Sequence, residues 1–232
     1  MKSVLMSIAP KRCELIANGK KTIEVRKTKP KLETPFKCYI YCTTSSYKGK
    51  YLHTSNKRGH LLFWENPNDT NITVQPENYN YMAYTCRGKV IGEFVCDKID
   101  YFSFSESEWA YSVAPAGSKM PMHETNALKI MEEQGCLLLD DINAYFGDED
   151  YTAYFWHISN LVIYDKPKEL FEFYNLCDES LTDKETSKCK QCIYHKSKNQ
   201  MSLANEQNCV CDGAKPLTRP PRSWCYVESV IG

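Results

Sequence analysis

The chain has 232 residues, 42% of them hydrophobic, 25% charged and 12% aromatic, with 29 Lys and Arg balanced by 29 Asp and Glu. That is the profile of a globular protein with enough chain to bury a core without disulfide help. Its longest apolar runs, such as 137–139 and 161–164, fall far short of the roughly 20 residues of a membrane span, and residues 1–8 do not read as an export signal, so no membrane partner and a cytoplasmic location are expected.

Val4 to Ile8 alternates and predicts a strand. Pro10 then sits at a first helical position, and Lys11 to Asn18 predicts a short helix stopped by Gly19. Thr22 to Arg26 alternates again, the proline-bounded 27–31 reads as a basic loop, and Phe36 to Thr43 predicts an aromatic, β-branched strand. Residues 44–80 are polar with no sustained period and predict a long excursion with one short strand near 61–64. Lys89 to Val95 predicts a further strand. From Glu106 to Gly147 the pattern reads as helical, with helices over 124–133 and 139–146 ending at Gly135 and Gly147. Phe155 to Tyr164 predicts a strand, Pro167 to Phe173 a short helix, and Ser223 to Glu228 the last strand. About six strands with helices between them, and no internal repeat, give an α+β class built on a small mixed sheet or barrel.

Overall neutrality hides an asymmetry. Residues 1–50 hold twelve Lys or Arg against three acids, and residues 101–150 hold ten acids against two Lys. A basic half points to an anionic ligand on one face, or else to a solvated basic surface. The acidic stretch 140–150, with Asp140, Asp141, Asp148, Glu149 and Asp150, reads as a solvated helix face, a surface for a protein partner or a nucleic-acid mimic.

The segment with most chemistry is Gly19-Lys20-Lys21-Thr22-Ile23-Glu24-Val25-Arg26. A strand period of two sends Thr22, Glu24 and Arg26 to one face, with Lys21 beside them. Cations, a carboxylate and a hydroxyl in one cleft can hold a phosphate and read a base edge. The same residues also fit an exposed strand with a structural Glu24–Arg26 or Lys21–Glu24 ion pair. Lys20, Lys27 and Lys29 would add salt-dependent attraction.

This segment resembles the Gly-x-Lys-x-x-Glu-x-Arg signature of the ASCH family, in the PUA-like superfamily, through Gly19, Lys21, Glu24 and Arg26. Gly88 to Phe94 resembles the family's central strand. Trp156 to Leu161, Tyr164 to Pro167 and Pro220 to Val227 resemble later core strands of phage- and prophage-type members. The resemblance spans most of 1–105, 150–175 and 213–232. It implies a small PUA-like β-barrel of about six strands with flanking helices, and binding of RNA, a nucleotide or a modified nucleoside at Lys20, Lys21, Thr22, Glu24, Arg26 and Lys27. Lys21 and Arg26 would contact phosphate, and Glu24 a base or ribose. Trp64, Trp109, Trp156 and Trp224 are aromatic groups that would stack on a base or belong to the core.

Some small members of that family are amidohydrolases that deacylate cytidine with a Lys, a Thr nucleophile two residues before the signature Arg, and a Glu. This chain keeps Lys21 but has Glu24 at the nucleophile's position, and Thr22 stands two residues early, about 6.5 Å away at ordinary strand rise. A hydrolase here would use Glu24 as general base and Lys21 as oxyanion holder, with Glu93, Glu106 or Glu108 as a second carboxylate. A third reading is a phage protein-interaction module aimed at a host protein.

Of twelve cysteines, Cys13, Cys38, Cys42, Cys86, Cys96 and Cys136 lie in apolar or strand-like stretches, where reduced Cys acts as a small hydrophobe. Cys177, Cys189, Cys192, Cys209 and Cys211 crowd a segment poor in large apolar residues, while Cys225 sits in the last strand. A segment that cannot build a core gains folding energy from a tetrahedral metal site. Cys189, Cys192, Cys209 and Cys211 are therefore expected to bind structural zinc, with Cys177 as the rival ligand, His195 as a further candidate, and a reduced unstructured loop as the alternative. The organisation expected is a barrel core over 1–175 with an acidic helical insertion at about 105–150, a cysteine-rich insert over 176–212, and a final core strand over 213–232. Metal analysis of the purified chain checks the zinc assignment. One zinc per chain is expected, falling to near zero in a Cys189→Ser/Cys192→Ser variant; a metal-free wild type contradicts it.

Overall fold

The computed structural model describes residues 2–45, 51–55, 60–63, 82–105, 110–115, 127–147, 150–175 and 216–228. The chain opens with β1 (Lys2–Ile8), the short helix α1 (Pro10–Ala17), β2 (Ile23–Arg26) and β3 (Phe36–Cys42). There follow β4 (Tyr51–Ser55), β5 (His60–Phe63), β6 (Met82–Thr85), β7 (Val90–Cys96), β8 (Ile99–Ser105) and β9 (Ala110–Pro115). Two helices, α2 (Ala127–Glu133) and α3 (Leu139–Phe146), precede β10 (Tyr151–His157), β11 (Ser159–Lys168) and β12 (Trp224–Glu228).

Among the described residues the strands form three sheets and no closed barrel. A five-stranded sheet has the order β11-β7-β3-β1-β12, a four-stranded sheet the order β2-β10-β8-β9, and a three-stranded sheet the order β4-β5-β6. The α+β class expected from the sequence stands, but the barrel of about six strands is replaced by twelve strands in separate sheets. β1 pairs parallel to β3 and antiparallel to β12, so it is covered on both edges, and six of its seven residues are buried.

Side-chain alternation divides the core. Val4, Met6 and Ile8 of β1 pack with Cys13 and Ile16 of α1 and with Trp156 of β10. Leu5, on the opposite face, packs with Tyr39, Phe173, Leu217 and Val227. A third cluster joins Ile23, Val25, Phe102 and Phe155 of the four-stranded sheet to Met131 of α2 and Ile142 of α3. α1 begins with Pro10, whose fixed φ suits a first helical turn, and buries Cys13, Ile16 and Ala17, the spacing of one helical face. Gly19 follows at φ +70, a conformation that only glycine adopts without strain, and turns the chain toward β2.

Three local expectations are corrected. The strand expected over 155–164 is two strands, β10 and β11, separated at Ile158; Asn160 takes a positive φ of 45 and the β11–β7 register is irregular. The helix expected after Pro167 is instead the end of β11, followed by a short 3-10 turn at Leu170–Glu172. Pro167 is tolerated because β11 is an edge strand. The helical stretch expected from 106 onward is preceded by β8 and opens with β9, which pair antiparallel from Asp100–Pro115 to Ser105–Ala110. Phe102 and Phe104 are both buried, so the period-two signal in β8 resides in its aromatic residues.

β7 and β11 approach closely at Gly92, where an added Cβ would overlap the Val162 carbonyl oxygen. Gly92→Ala should therefore cost about 1–3 kcal/mol in chemical denaturation, the range for overpacking. An unchanged midpoint contradicts this pairing.

Candidate functional site

The turn between α1 and β2 is fixed by backbone bonds before any side chain acts. The Lys20 and Lys21 amides both donate to Leu15 O, and the Thr22 and Ile23 amides both donate to Gln134 O, at the end of α2. β10 covers one edge of β2, with Trp156 opposite Glu24 and Tyr154 opposite Arg26. All four β2 residues are buried.

Lys21, Glu24 and Arg26 are thus enclosed, at 2%, 1% and 7% exposure. Lys21 Nζ donates to Gly135 O at 2.5 Å and lies 3.5 Å from Glu24 Oε2. Arg26 Nη2 is 3.0 Å from Glu24 Oε1 and donates to Ser7 O at 2.7 Å. Arg26 Nη1 reaches Ser223 Oγ at 3.3 Å and Ser223 O at 3.5 Å. Both ion pairs that the sequence offered as a structural alternative are present together, sharing one carboxylate. The open cleft expected along this strand is not found: the three signature side chains face inward, because β2 is covered on both faces.

Burial alone would raise the Glu24 carboxyl, but Lys21, Arg26 and the half-buried Arg12 outweigh it and hold its pKa below the ordinary value. Burial lowers the Lys21 ammonium despite the opposing pull of Glu24, and Arg12 lowers it further. One carboxylate is therefore surrounded by three cations. Two enclosed polar atoms, Glu24 Oε2 and Arg26 Nε, have no hydrogen-bond partner among the described residues.

The other sequence-predicted residues lie outside this enclosed group. Lys20, Thr22 and Lys27 are exposed. The Lys27 ammonium sits 4.9 Å from the Tyr145 ring centroid and 5.4 Å from that of Phe146, within cation–π range. Lys29 lies 6.0 Å from the Tyr154 ring. Trp156 is fully buried, whereas half-buried Trp224 donates to Thr28 Oγ1 at 3.0 Å. Glu93 is separately engaged, by Lys37 Nζ at 2.7 Å and the Tyr164 hydroxyl at 2.6 Å. Glu106, Glu108, Trp64, Trp109, Asp148, Glu149, Cys177, Cys189, Cys192, His195, Cys209 and Cys211 lie outside the described residues. Among the described residues no group of three or more potential ligands is placed to hold a metal ion.

Sequence reading missed Arg12, Ser7, Ser223 and Gly135. Arg12 was within reach of it, one residue before buried Cys13 on a helix known to precede the turn. Ser223 and Gly135 carry no local signal, standing 197 and 114 residues from their partners. Asp100 was also missed. Its Oδ2 lies 2.8 Å from His157 Nε2 and 2.8 Å from Lys98 Nζ, and register places His157 opposite Ile23.

No family model matches the chain, and no curated protein matches it. Among solved structures it is similar to an ASCH protein from Zymomonas mobilis, with 13% identity and a TM-score of 0.36 over 71% of this chain and 69% of that one. Two point mutants of the Zymomonas protein give 13% and 14% identity, with TM-scores of 0.34 and 0.32. They cover 72% and 71% of this chain, and 73% and 70% of their own.

Because the folded Glu24 pKa is depressed, its pairing stabilises the protein above the unfolded carboxyl value, about 4.3. That stabilisation is lost as pH falls through the folded value. Glu24→Gln should lower stability at neutral pH by about 3–5 kcal/mol, the scale of removing one partner of a buried ion pair. It should also flatten the acid limb of a stability-versus-pH curve. Equal acid sensitivity in wild type and variant contradicts an ionised, enclosed Glu24.

Proposed function

We propose that the protein binds RNA or a nucleotide on the basic surface around the α1–β2 turn. The observation that carries this reading is the charge imbalance at the turn: one enclosed carboxylate against Lys21, Arg26 and Arg12. The excess positive charge is held in low dielectric, where its field is weakly screened and extends toward the surface. Exposed Lys20 and Lys27 stand at that surface, with Thr22 between them offering a hydroxyl. In this reading Lys20, Thr22 and Lys27 meet the phosphates. Lys21, Glu24 and Arg26 set the potential and hold the turn in shape, and an approaching phosphate strengthens the protonated form of Lys21.

The nucleoside amidohydrolase alternative draws less from the geometry. Glu24 is held as a carboxylate by two cations in contact with it, which lowers its basicity, and Thr22 lies before β2 on the exposed side of the turn. A host-protein partner for the acidic stretch draws only on exposed Asp140 and Asp150, and Asp141 caps α3 by accepting from the Leu138 amide. The proposed zinc would be structural: four thiolates leave no open coordination position, so the metal would contribute folding energy and take no part in binding.

Fluorescence anisotropy with labelled single-stranded and hairpin RNA, at low and moderate salt, tests the reading. Wild type should bind in a salt-dependent manner. A Lys20→Glu/Lys27→Glu variant should bind at least about tenfold more weakly, and each lost phosphate contact should reduce the salt slope by about one. Both side chains are exposed, so the thermal midpoint should fall only slightly, by the loss of the Lys27 contact with Tyr145 and Phe146. Equal binding by wild type and variant, or no binding at low salt, overturns the proposal.

A further inference from the structure

The loop leading into β12 builds a second basic feature, on the sheet face that carries Leu5, Phe173 and Val227. A cleft of about 510 Å³ opens there, lined by Asn175, Thr218, Arg219, Pro221, Arg222 and Cys225 among others. Arg219 and Arg222 are exposed, and among the described residues neither is paired with a carboxylate and no acidic residue lines the cleft. Burial pushes the Cys225 thiol up to about 11, so it is neutral at physiological pH and adds no negative charge.

The loop is fixed from several directions. The Leu217 amide donates to Phe173 O at 2.8 Å, and Tyr174 bridges to Pro216. Ser7 Oγ donates to Pro221 O at 2.7 Å, the Ser7 amide donates to Ser223 O at 2.9 Å, and Arg26 Nη1 reaches Ser223. Pro216, Pro220 and Pro221 lock their own φ angles. Two guanidinium groups are therefore carried on a loop with little conformational freedom left to lose on binding. Guanidinium geometry matches phosphate oxygens in pairs. The volume exceeds what a lone phosphate fills and lies in the range of small-molecule pockets, about 300–1,000 Å³.

We propose that this cleft binds a phosphate monoester carried on an organic group, with Arg219 and Arg222 gripping the phosphate, at a site separate from the α1–β2 surface. Thr218 and Asn175 supply further polar contacts, and the proline rings form an apolar wall for the attached group. Arg26 is a positioning residue here: it touches the loop backbone and not the ligand.

Isothermal titration of the 232-residue chain with a nucleoside 5′-monophosphate, the parent nucleoside and inorganic phosphate tests the assignment. Single-site binding of the monophosphate is expected, with inorganic phosphate weaker and the nucleoside undetected. Arg219→Ala and Arg222→Ala should each weaken the monophosphate at least about tenfold, and Arg222→Lys should recover only part of the loss because Lys offers no paired donors. Thermal midpoints should hold, since both side chains are exposed. Absence of monophosphate binding, unchanged affinity in the Arg219→Ala/Arg222→Ala variant, or equal affinity for inorganic phosphate overturns the proposal. Loss of binding in Lys20→Glu/Lys27→Glu instead would move the phosphate to the α1–β2 surface.

Discussion

Everything near the α1–β2 turn is arranged around one enclosed carboxylate. Glu24 has almost no solvent contact, and an isolated carboxylate in such a place would give up its charge. It remains ionised because Lys21 and Arg26 reach it from the same segment and Arg12 adds to the field from α1. Each of those cations must itself be satisfied, and their remaining donors reach outward to Gly135, Ser7 and Ser223. The ion cluster thereby joins four distant parts of the chain: the end of α2, the end of β1, the entry to β12 and β2 itself.

That arrangement explains why the cluster is cationic overall. A balanced pair would serve for burial, since removing one partner of such a pair costs about 3–5 kcal/mol while the intact pair contributes little. Lys21 and Arg26 are both present because the protein has two backbone regions to hold: Gly135 O takes the ammonium, and Ser7 O and Ser223 take the guanidinium. Surplus positive charge near the turn is a by-product of that tying, and in the proposed function it is also what draws an anion to the adjoining surface. The structural role of the Lys-Glu-Arg spacing and the binding role proposed for it are for this reason compatible.

Much of the secondary structure was legible. α1, α3, β1, β3, β7 and β12 fall within about two residues of their expected positions, because each has a clear period or a Pro or Gly stop. The shared face of Glu24 and Arg26 was legible too, from strand alternation. The enclosure of that face was not. It depends on Trp156 pairing opposite Glu24 and on Ser223 lying beside Arg26, and both relations join segments more than a hundred residues apart. β8 was hidden because serine and tyrosine occupy its outward positions, leaving Phe102 and Phe104 as too short a signal. The break at Ile158 was hidden for a different reason. No Pro or Gly stops the chain there, and the change of sheet shows only in the pairing, with His157 opposite Ile23 of β2 and Ser159 opposite Val95 of β7.

The same tertiary ties connect the turn to the cleft beside Arg219 and Arg222. Ser7 donates its hydroxyl to Pro221 and offers its carbonyl to Arg26, while Arg26 also holds Ser223. Loss of the Arg26 guanidinium would release Ser223 and with it one anchor of the arginine-bearing loop. The two basic surfaces thus share a support. Because Ser7 keeps its own bonds to Pro221 and Ser223, the loop would retain most of its shape without Arg26. Any coupling between the surfaces is therefore limited to the weak, long bonds that Arg26 makes to Ser223, at 3.3 and 3.5 Å, and not to the short one it makes to Ser7.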